Sequence, residues 1–201
     1  MNALEKVKAM INHIEFLTPA EKEVIIKETI FEEFPKDTFL LKEGQIPKRC
    51  FMVVEGCVRE YIIINGEEKT TGFYTEGDKI TPYNTVEVDQ PSKHYLECLE
   101  DCILTISNKS FENHLRKLLP RLDQVIQGFA KEEIGRAKTA WTKFISSSPE
   151  ERYTHLMETR PALFNRVNHH QIASYLGMKP QSLSRIRKRV WSKELNGQAT
   201  D

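Results

Sequence analysis

The residues best equipped for chemistry lie in one stretch, Asn168-His169-His170-Gln171-Ile172-Ala173-Ser174-Tyr175-Leu176-Gly177-Met178-Lys179-Pro180-Gln181-Ser182-Leu183-Ser184-Arg185-Ile186-Arg187-Lys188. Gln181 and Arg185 are spaced so that, on a helix, they share one face a turn apart. A glutamine amide matches the donor and acceptor of adenine, and a guanidinium matches the two acceptors of guanine. Each good bidentate pair discriminates by about 1–3 kcal/mol. His169, Lys179 and Ser182 place an imidazole, an ammonium and a hydroxyl where phosphates would lie. Lys188 and Arg189, beside Arg187, add an attraction that ignores sequence and weakens with salt. From Ala162 to Lys193 there is no Asp or Glu, against seven Lys and Arg. The whole chain has 29 basic and 29 acidic residues, so the rest must carry the balancing negative charge. A neutral average thus hides a segment built to meet a polyanion, and double-stranded DNA is the expected partner.

These side chains are useful only if two short helices hold them. Asn168 and Gln171 have capping-box spacing ahead of Ile172, Ala173 and Leu176, which predicts a first helix. Gly177 can take the left-handed conformation that ends it, and Pro180 suits the first turn of the next. Ala173 is small where the second helix must cross, and Leu176, Leu183 and Ile186 fill the angle between the two. The expected product is a helix-turn-helix.

Upstream, Ser146-Ser147-Ser148-Pro149 marks a joint, with a helix after it over Glu150–Glu158. Before the joint, Leu122, Val125, Ile126, Phe129, Ala137, Ala140, Trp141 and Phe144 form a helical stripe. It must be buried either against its own domain or against the same helix of a second copy, and a homodimer through a long helix over 120–145 is expected because helix-turn-helix readers usually bind as pairs. From Phe39 to Ile106 the pattern is of short strands punctuated by Gly44, Gly56, Gly66 and Gly77, with Asn65-Gly66 a hairpin signal. The N-terminus has helical spacing at Leu4, Val7, Met10, Ile11 and Ile14, then a Thr18-Pro19-Ala20-Glu21 capping box. The division expected is a β-rich sensor with short N-terminal helices over 1–119, the dimerisation helix over 120–145 and the DNA reader over 146–201.

No run approaches the roughly 20 apolar residues of a membrane helix, and the first residues are too charged for a secretory h-region, so a cytoplasmic protein is expected. Cys50, Cys57, Cys98 and Cys102 then read as reduced thiols. Cys98-x-x-x-Cys102 reads as a buried structural pair before it reads as a metal or redox site. A cupin-type metal enzyme is the competing class, but its chemistry needs converging His and carboxylate ligands, and His94 is the one histidine of the β region. No Ser-His-Asp spacing or Gly-rich phosphate loop is present, so neither an enzyme nor a resident cofactor is expected. A ligand-independent DNA-binding scaffold is the other alternative.

The chain resembles the Crp–Fnr family of transcription regulators almost end to end. Leu41-Lys42-Glu43-Gly44, Val54-Glu55-Gly56-Cys57-Val58 and Glu76-Gly77-Asp78 look like the glycine turns of that family's β-roll. Ile172-Ala173-Ser174-Tyr175-Leu176-Gly177 and Ser182-Leu183-Ser184-Arg185-Ile186 look like its DNA reader. The resemblance implies an α+β protein: a cyclic-nucleotide-binding-like β-roll (double-stranded β-helix or jelly roll), a long dimerisation helix, and a C-terminal helix-turn-helix of winged-helix type. With only Trp191–Asp201 left after the reading helix, the wing is expected to be reduced. The resemblance puts Gln181 and Arg185 on base-contacting positions and Lys179 and Ser182 on backbone-contacting ones. It further implies a palindromic operator and contact with RNA polymerase. Pro180 stands where relatives place a polar base reader, so specificity should differ from theirs.

The sensor departs from the family members that bind cyclic AMP. Their ribose-binding glutamate and phosphate-binding arginine have no counterpart in Lys79-Ile80-Thr81-Pro82-Tyr83 and Pro91-Ser92-Lys93-His94. A buried phosphate without a paired cation is costly. A different small effector is therefore expected, with Ile80, Thr81, Tyr83, Lys93 and His94 as candidate pocket residues. Iron–sulfur chemistry is not expected either, since no cysteine precedes Cys50.

Overall fold

A computed structural model describes residues 2–81 and 90–197, with side chains through residue 192. Two compact units divide the chain: Met1–Ile62 with Gly72–Gly135, and Ile63–Thr71 with Arg136–Asp201.

The first unit is built on alternation. Helices α1 (Ala3–Asn12) and α2 (Pro19–Glu28) each begin at a complete capping box, on Asn2/Glu5 and Thr18/Glu21. Eight strands follow: β1 (Ile30–Phe34), β2 (Phe39–Leu41), β3 (Cys50–Glu55), β4 (Val58–Ile64), β5 (Glu67–Tyr74), β6 (Lys79–Ile80), β7 (Tyr95–Cys98) and β8 (Cys102–Ser107). The tip of the β4–β5 hairpin belongs to the second unit. The strands form two four-stranded sheets, ordered β1-β8-β3-β6 and β2-β7-β4-β5. Along β8, Cys102, Leu104 and Ile106 point inward and the intervening residues do not. They meet Phe51 and Val53 of β3, Leu41 of β2, Val58 of β4, Ile80 of β6, and Leu96 and Cys98 of β7 in one core, so both sheets contribute to it. This is the β-roll.

Cys57, Cys98 and Cys102 are buried and Cys50 partly so, none of them in a disulfide. Between β3 and β4 the chain turns at Gly56 (φ +106°), where a Cβ would lie 2.6 Å from Cys102 Sγ and 2.8 Å from the Asp101 carbonyl oxygen. Only glycine fits there, and the β3–β8 register shifts between Val53 and Glu55.

Helix α3 (Lys109–Leu118) and the start of α4 (Leu122–Ser146) close the unit. Leu115, Leu119 and Leu122 form a small cluster with Val24 and Ile25, while Val125 joins Val7, Ile11, Leu17 and Val54. Two elements carry weak sequence signals. β1 reads Ile-Phe-Glu-Glu-Phe and is exposed over its first four residues, so it lacks the alternation that marks a half-buried strand, yet it pairs with β8 over five residues. α3 buries Leu115 alone, which leaves little stripe to detect.

In the second unit, α5 (Pro149–Thr159) starts at a Ser148/Glu151 capping box, and α6 (Leu163–Arg166), α7 (His169–Tyr175) and α8 (Pro180–Gly197) follow. Tyr153, Leu156, Leu163, Val167, Ile172, Ala173, Leu176, Leu183 and Ile186 are buried. No helix among the described residues is long and apolar enough to cross a membrane.

Candidate nucleic-acid interface

The α7–α8 pair is a helix-turn-helix whose geometry follows from a few side chains. Ile172 and Ala173 are fully buried, and Leu183 is 1% exposed, so the second helix lies directly against the small residue of the first. Gly177 adopts φ +69°, its N–H donates to the Ser174 carbonyl oxygen (3.0 Å), and the Met178 N–H donates to that of Ala173 (2.9 Å). These bonds satisfy carbonyls that the end of α7 would otherwise leave open. Pro180 opens α8, and the Ser182 and Leu183 N–H groups donate to the Lys179 carbonyl oxygen at 2.9 and 3.2 Å.

One expectation needs correction. Asn168 is the N-cap of α7, but its side chain makes no cap bond, and Gln171 is 7% exposed. The Asn-x-x-Gln spacing is present without the reciprocal bonds of a capping box, because Gln171 is drawn into the packed interior.

With Leu183 and Ile186 turned inward, Gln181, Ser182, Arg185, Arg187, Lys188 and Arg189 are all exposed on the rest of α8. Lys179 and His169 are exposed at the turn and at the start of α7. His169 Nε2 lies 2.7 Å from Arg187 Nη1, and Arg189 Nη1 donates to Glu150 Oε2 at 2.7 Å. Arg187, counted from sequence only as part of a basic run, therefore stands beside a candidate phosphate-contacting imidazole. Arg189 already has an acidic partner from α5. The helix α8 continues to Gly197, and no strand follows it among the described residues.

The candidate effector residues that are described do not all present open side chains. Ile80 is 1% exposed inside the roll core, Thr81 and Lys93 are exposed, and Tyr83 lies outside the described residues. His94 Nδ1 is 3.2 Å from Glu60 Oε1. Hydrogen bonding to Glu60, and then that carboxylate's charge, raise the His94 pKa above its usual value against the opposing effect of burial. A separate open groove of about 510 Å³ is lined by Leu40, Leu41, Ile46 and Phe51, with Lys48 and Arg49 among its other walls.

Arg59 carries no local sequence signal of a role. It is 2% exposed, with its guanidinium 4.3 Å from the Tyr61 ring and Nη1 3.9 Å from Glu97. Arginine tolerates such burial when stacked and paired; on β4 it shares a face with Tyr61, two residues on. Among the described residues no group of three or more His, Cys, Asp or Glu is placed to hold a metal ion.

Comparison with known proteins agrees with this architecture. The family model of the cyclic nucleotide-binding domain matches residues 31–117. No curated protein sequence matches the chain. Among solved structures, FixK2 from Bradyrhizobium japonicum is similar at a TM-score of 0.66 and 19% identity, over 83% of this chain and 86% of that one. CLP from Xanthomonas campestris, described as a c-di-GMP-responsive global regulator, gives 0.67 and 14% over 89% and 94%. The Thermus thermophilus catabolite activator protein gives 0.54 and 16% over 92% and 88%. Residues 31–117 thus belong to the cyclic nucleotide-binding domain family, on a chain that has the fold of the Crp–Fnr regulators.

Proposed function

We propose that this protein is a sequence-specific DNA-binding transcription regulator of the Crp–Fnr type and not an enzyme. The observation that carries the reading is the α8 surface, where Gln181 and Arg185 stand exposed one turn apart because Leu183 and Ile186 anchor the opposite face. Gln181 and Arg185 read base edges, and His169, Lys179, Ser182, Lys188 and Arg189 meet the backbone. For Arg189 this requires exchanging Glu150 for a phosphate.

The functional division is a sensor over 1–119, a dimerisation helix over 120–145 and a reader over 146–201. On α4, Ile134, Trp141 and Ile145 are 69%, 64% and 59% exposed at spacings of seven and four residues, which is the pattern of a face that a second copy covers. A homodimer presents two reading helices to a palindromic site, about 34 Å apart. The protein works in the cytoplasm, alongside RNA polymerase. Its β-roll responds to a small effector other than cyclic AMP, which shifts the population of dimer geometries. The c-di-GMP responsiveness of CLP supports a different effector on this fold.

Selection of bound fragments from random duplex DNA tests the reading. Arg185→Ala should cost about 1–3 kcal/mol on the selected sequence and relax preference at one position, whereas Lys188→Ala should weaken selected and random DNA alike. Equal losses on both kinds of DNA for both variants contradict the assignment.

A further inference from the structure

The end of α4 and the end of α7 are tied by a single side chain. The last carbonyls of each helix lack intrahelical partners and carry partial negative charge. Arg152, on α5, donates from Nε to the Phe144 carbonyl oxygen at 3.0 Å and from Nη1 to the Leu176 carbonyl oxygen at 3.2 Å. Its guanidinium lies 4.0 Å from the Phe144 ring centroid. The neighbouring carboxylates are occupied elsewhere, Glu151 in the Ser148 cap and Glu150 with Arg189, and the two helix ends hold the cation. Gly177 completes the arrangement. A Cβ there would lie 3.3 Å from Arg152 Nη1 and 3.4 Å from Phe144 Cζ, so the turn of the helix-turn-helix packs directly onto this clamp.

We infer that Arg152 is a positioning residue for DNA reading: it fixes the direction in which the α7–α8 pair leaves the end of the long helix. The inference rests on the DNA reading proposed above. Between α4 and α5 lies only Ser147-Ser148, a short polar joint, so the angle across it needs an external constraint. A planar guanidinium can send two donors to two carbonyls while its face stacks on a ring, which a lysine ammonium cannot reproduce. Gln181 and Arg185, which read the bases of one half-site, lie on α8 and are not part of the clamp. Loss of the clamp therefore leaves a single half-site readable and blurs the separation between two of them.

The full-length protein is compared with Arg152→Met and Arg152→Lys on two kinds of duplex: a single selected half-site, and paired half-sites at the preferred spacing or displaced by one or two base pairs. For Arg152→Met, single-half-site affinity should stay within about threefold, while preference for the correct spacing falls on the order of tenfold, the scale of losing charge-assisted bonds that preorganise a binder. Arg152→Lys should recover only part of that preference. A readout without DNA accompanies it: nitroxides on keto amino acids placed at positions 138 and 184, in labelled chains diluted with unlabelled ones, with the distance distribution measured by pulsed dipolar spectroscopy. It should be narrow in the parent and broad in Arg152→Met.

An unchanged distribution overturns the inference, as does a broadened one with spacing preference intact. So does single-half-site affinity falling in step with melting temperature, which marks a merely structural role. If the parent binds no duplex, the DNA reading fails, and the distance distribution still decides whether Arg152 sets the angle.

Discussion

Replacing Gly177 by alanine tests the turn on which the reader depends. The residue adopts φ +69°, a conformation that costs an L-residue about 1–2 kcal/mol. The added methyl would also stand 3.3 Å from Arg152 Nη1 and 3.4 Å from Phe144 Cζ. Those atoms yield by only a few tenths of an ångström, since Arg152 is held by two carbonyls, so the total should fall in the upper part of that range. Gly177→Asn carries the same Cβ, but asparagine enters the left-handed region more easily. The difference between the two variants therefore isolates the backbone contribution.

Both tryptophans of the chain, Trp141 and Trp191, belong to the second unit, so their fluorescence during urea unfolding reports that unit. With a dependence of about 1–3 kcal/mol per molar in urea, the alanine variant should lower the midpoint by roughly 0.5–2 M, and the asparagine variant by less than half as much. An alanine midpoint within about 0.2 M of the parent, on the same scale, would mean that position 177 is not left-handed in the native turn.

Three other outcomes are expected. Leu183→Ala empties a site that is 1% exposed between the two reader helices, and should cost about 2–5 kcal/mol in the same fluorescence assay; a smaller loss would show that the angle between α7 and α8 is not packed by this residue. Trp141→Ala should weaken self-association roughly 30-fold in sedimentation equilibrium, the scale of an interface tryptophan, and an unchanged dimer constant would remove α4 from the interface. His94 should titrate above the ordinary histidine value of about 6.5 in an NMR series, with Glu60→Gln bringing it back down. Because the folded pKa is the higher one, the His94–Glu60 pairing contributes fully below about pH 6.5 and fades as pH rises through the folded value. The effect is small, since the His94 side chain is 43% exposed. A midpoint at or below 6.5 would contradict the pairing.

Local rules made much of this protein legible in advance. Thr18-Pro19-Ala20-Glu21 specifies a helix start through atoms three residues apart, and it forms as written. The inward residues of β8 alternate because a strand has period two, and Leu183 and Ile186 lie three apart because a helix has a period near 3.6. Gly177 and Pro180 mark the turn by backbone preferences that need no distant partner. Tertiary structure decided what depends on partners far along the chain. β1 is a strand because β8 offers an edge to pair with, and its own residues say little. Gln171 turns inward and abandons its cap, since burial in the packed reader competes with a bond worth about 1 kcal/mol. Arg59 and Arg152 are ordinary arginines in sequence, and their roles arise from rings and carbonyls brought to them by folding: Tyr61 and Glu97 in one case, Phe144 and Leu176 in the other. Periodicity and caps act over one or two turns and are written in neighbouring residues, whereas a cation's partner is set by which chain ends and faces the fold brings within hydrogen-bond reach.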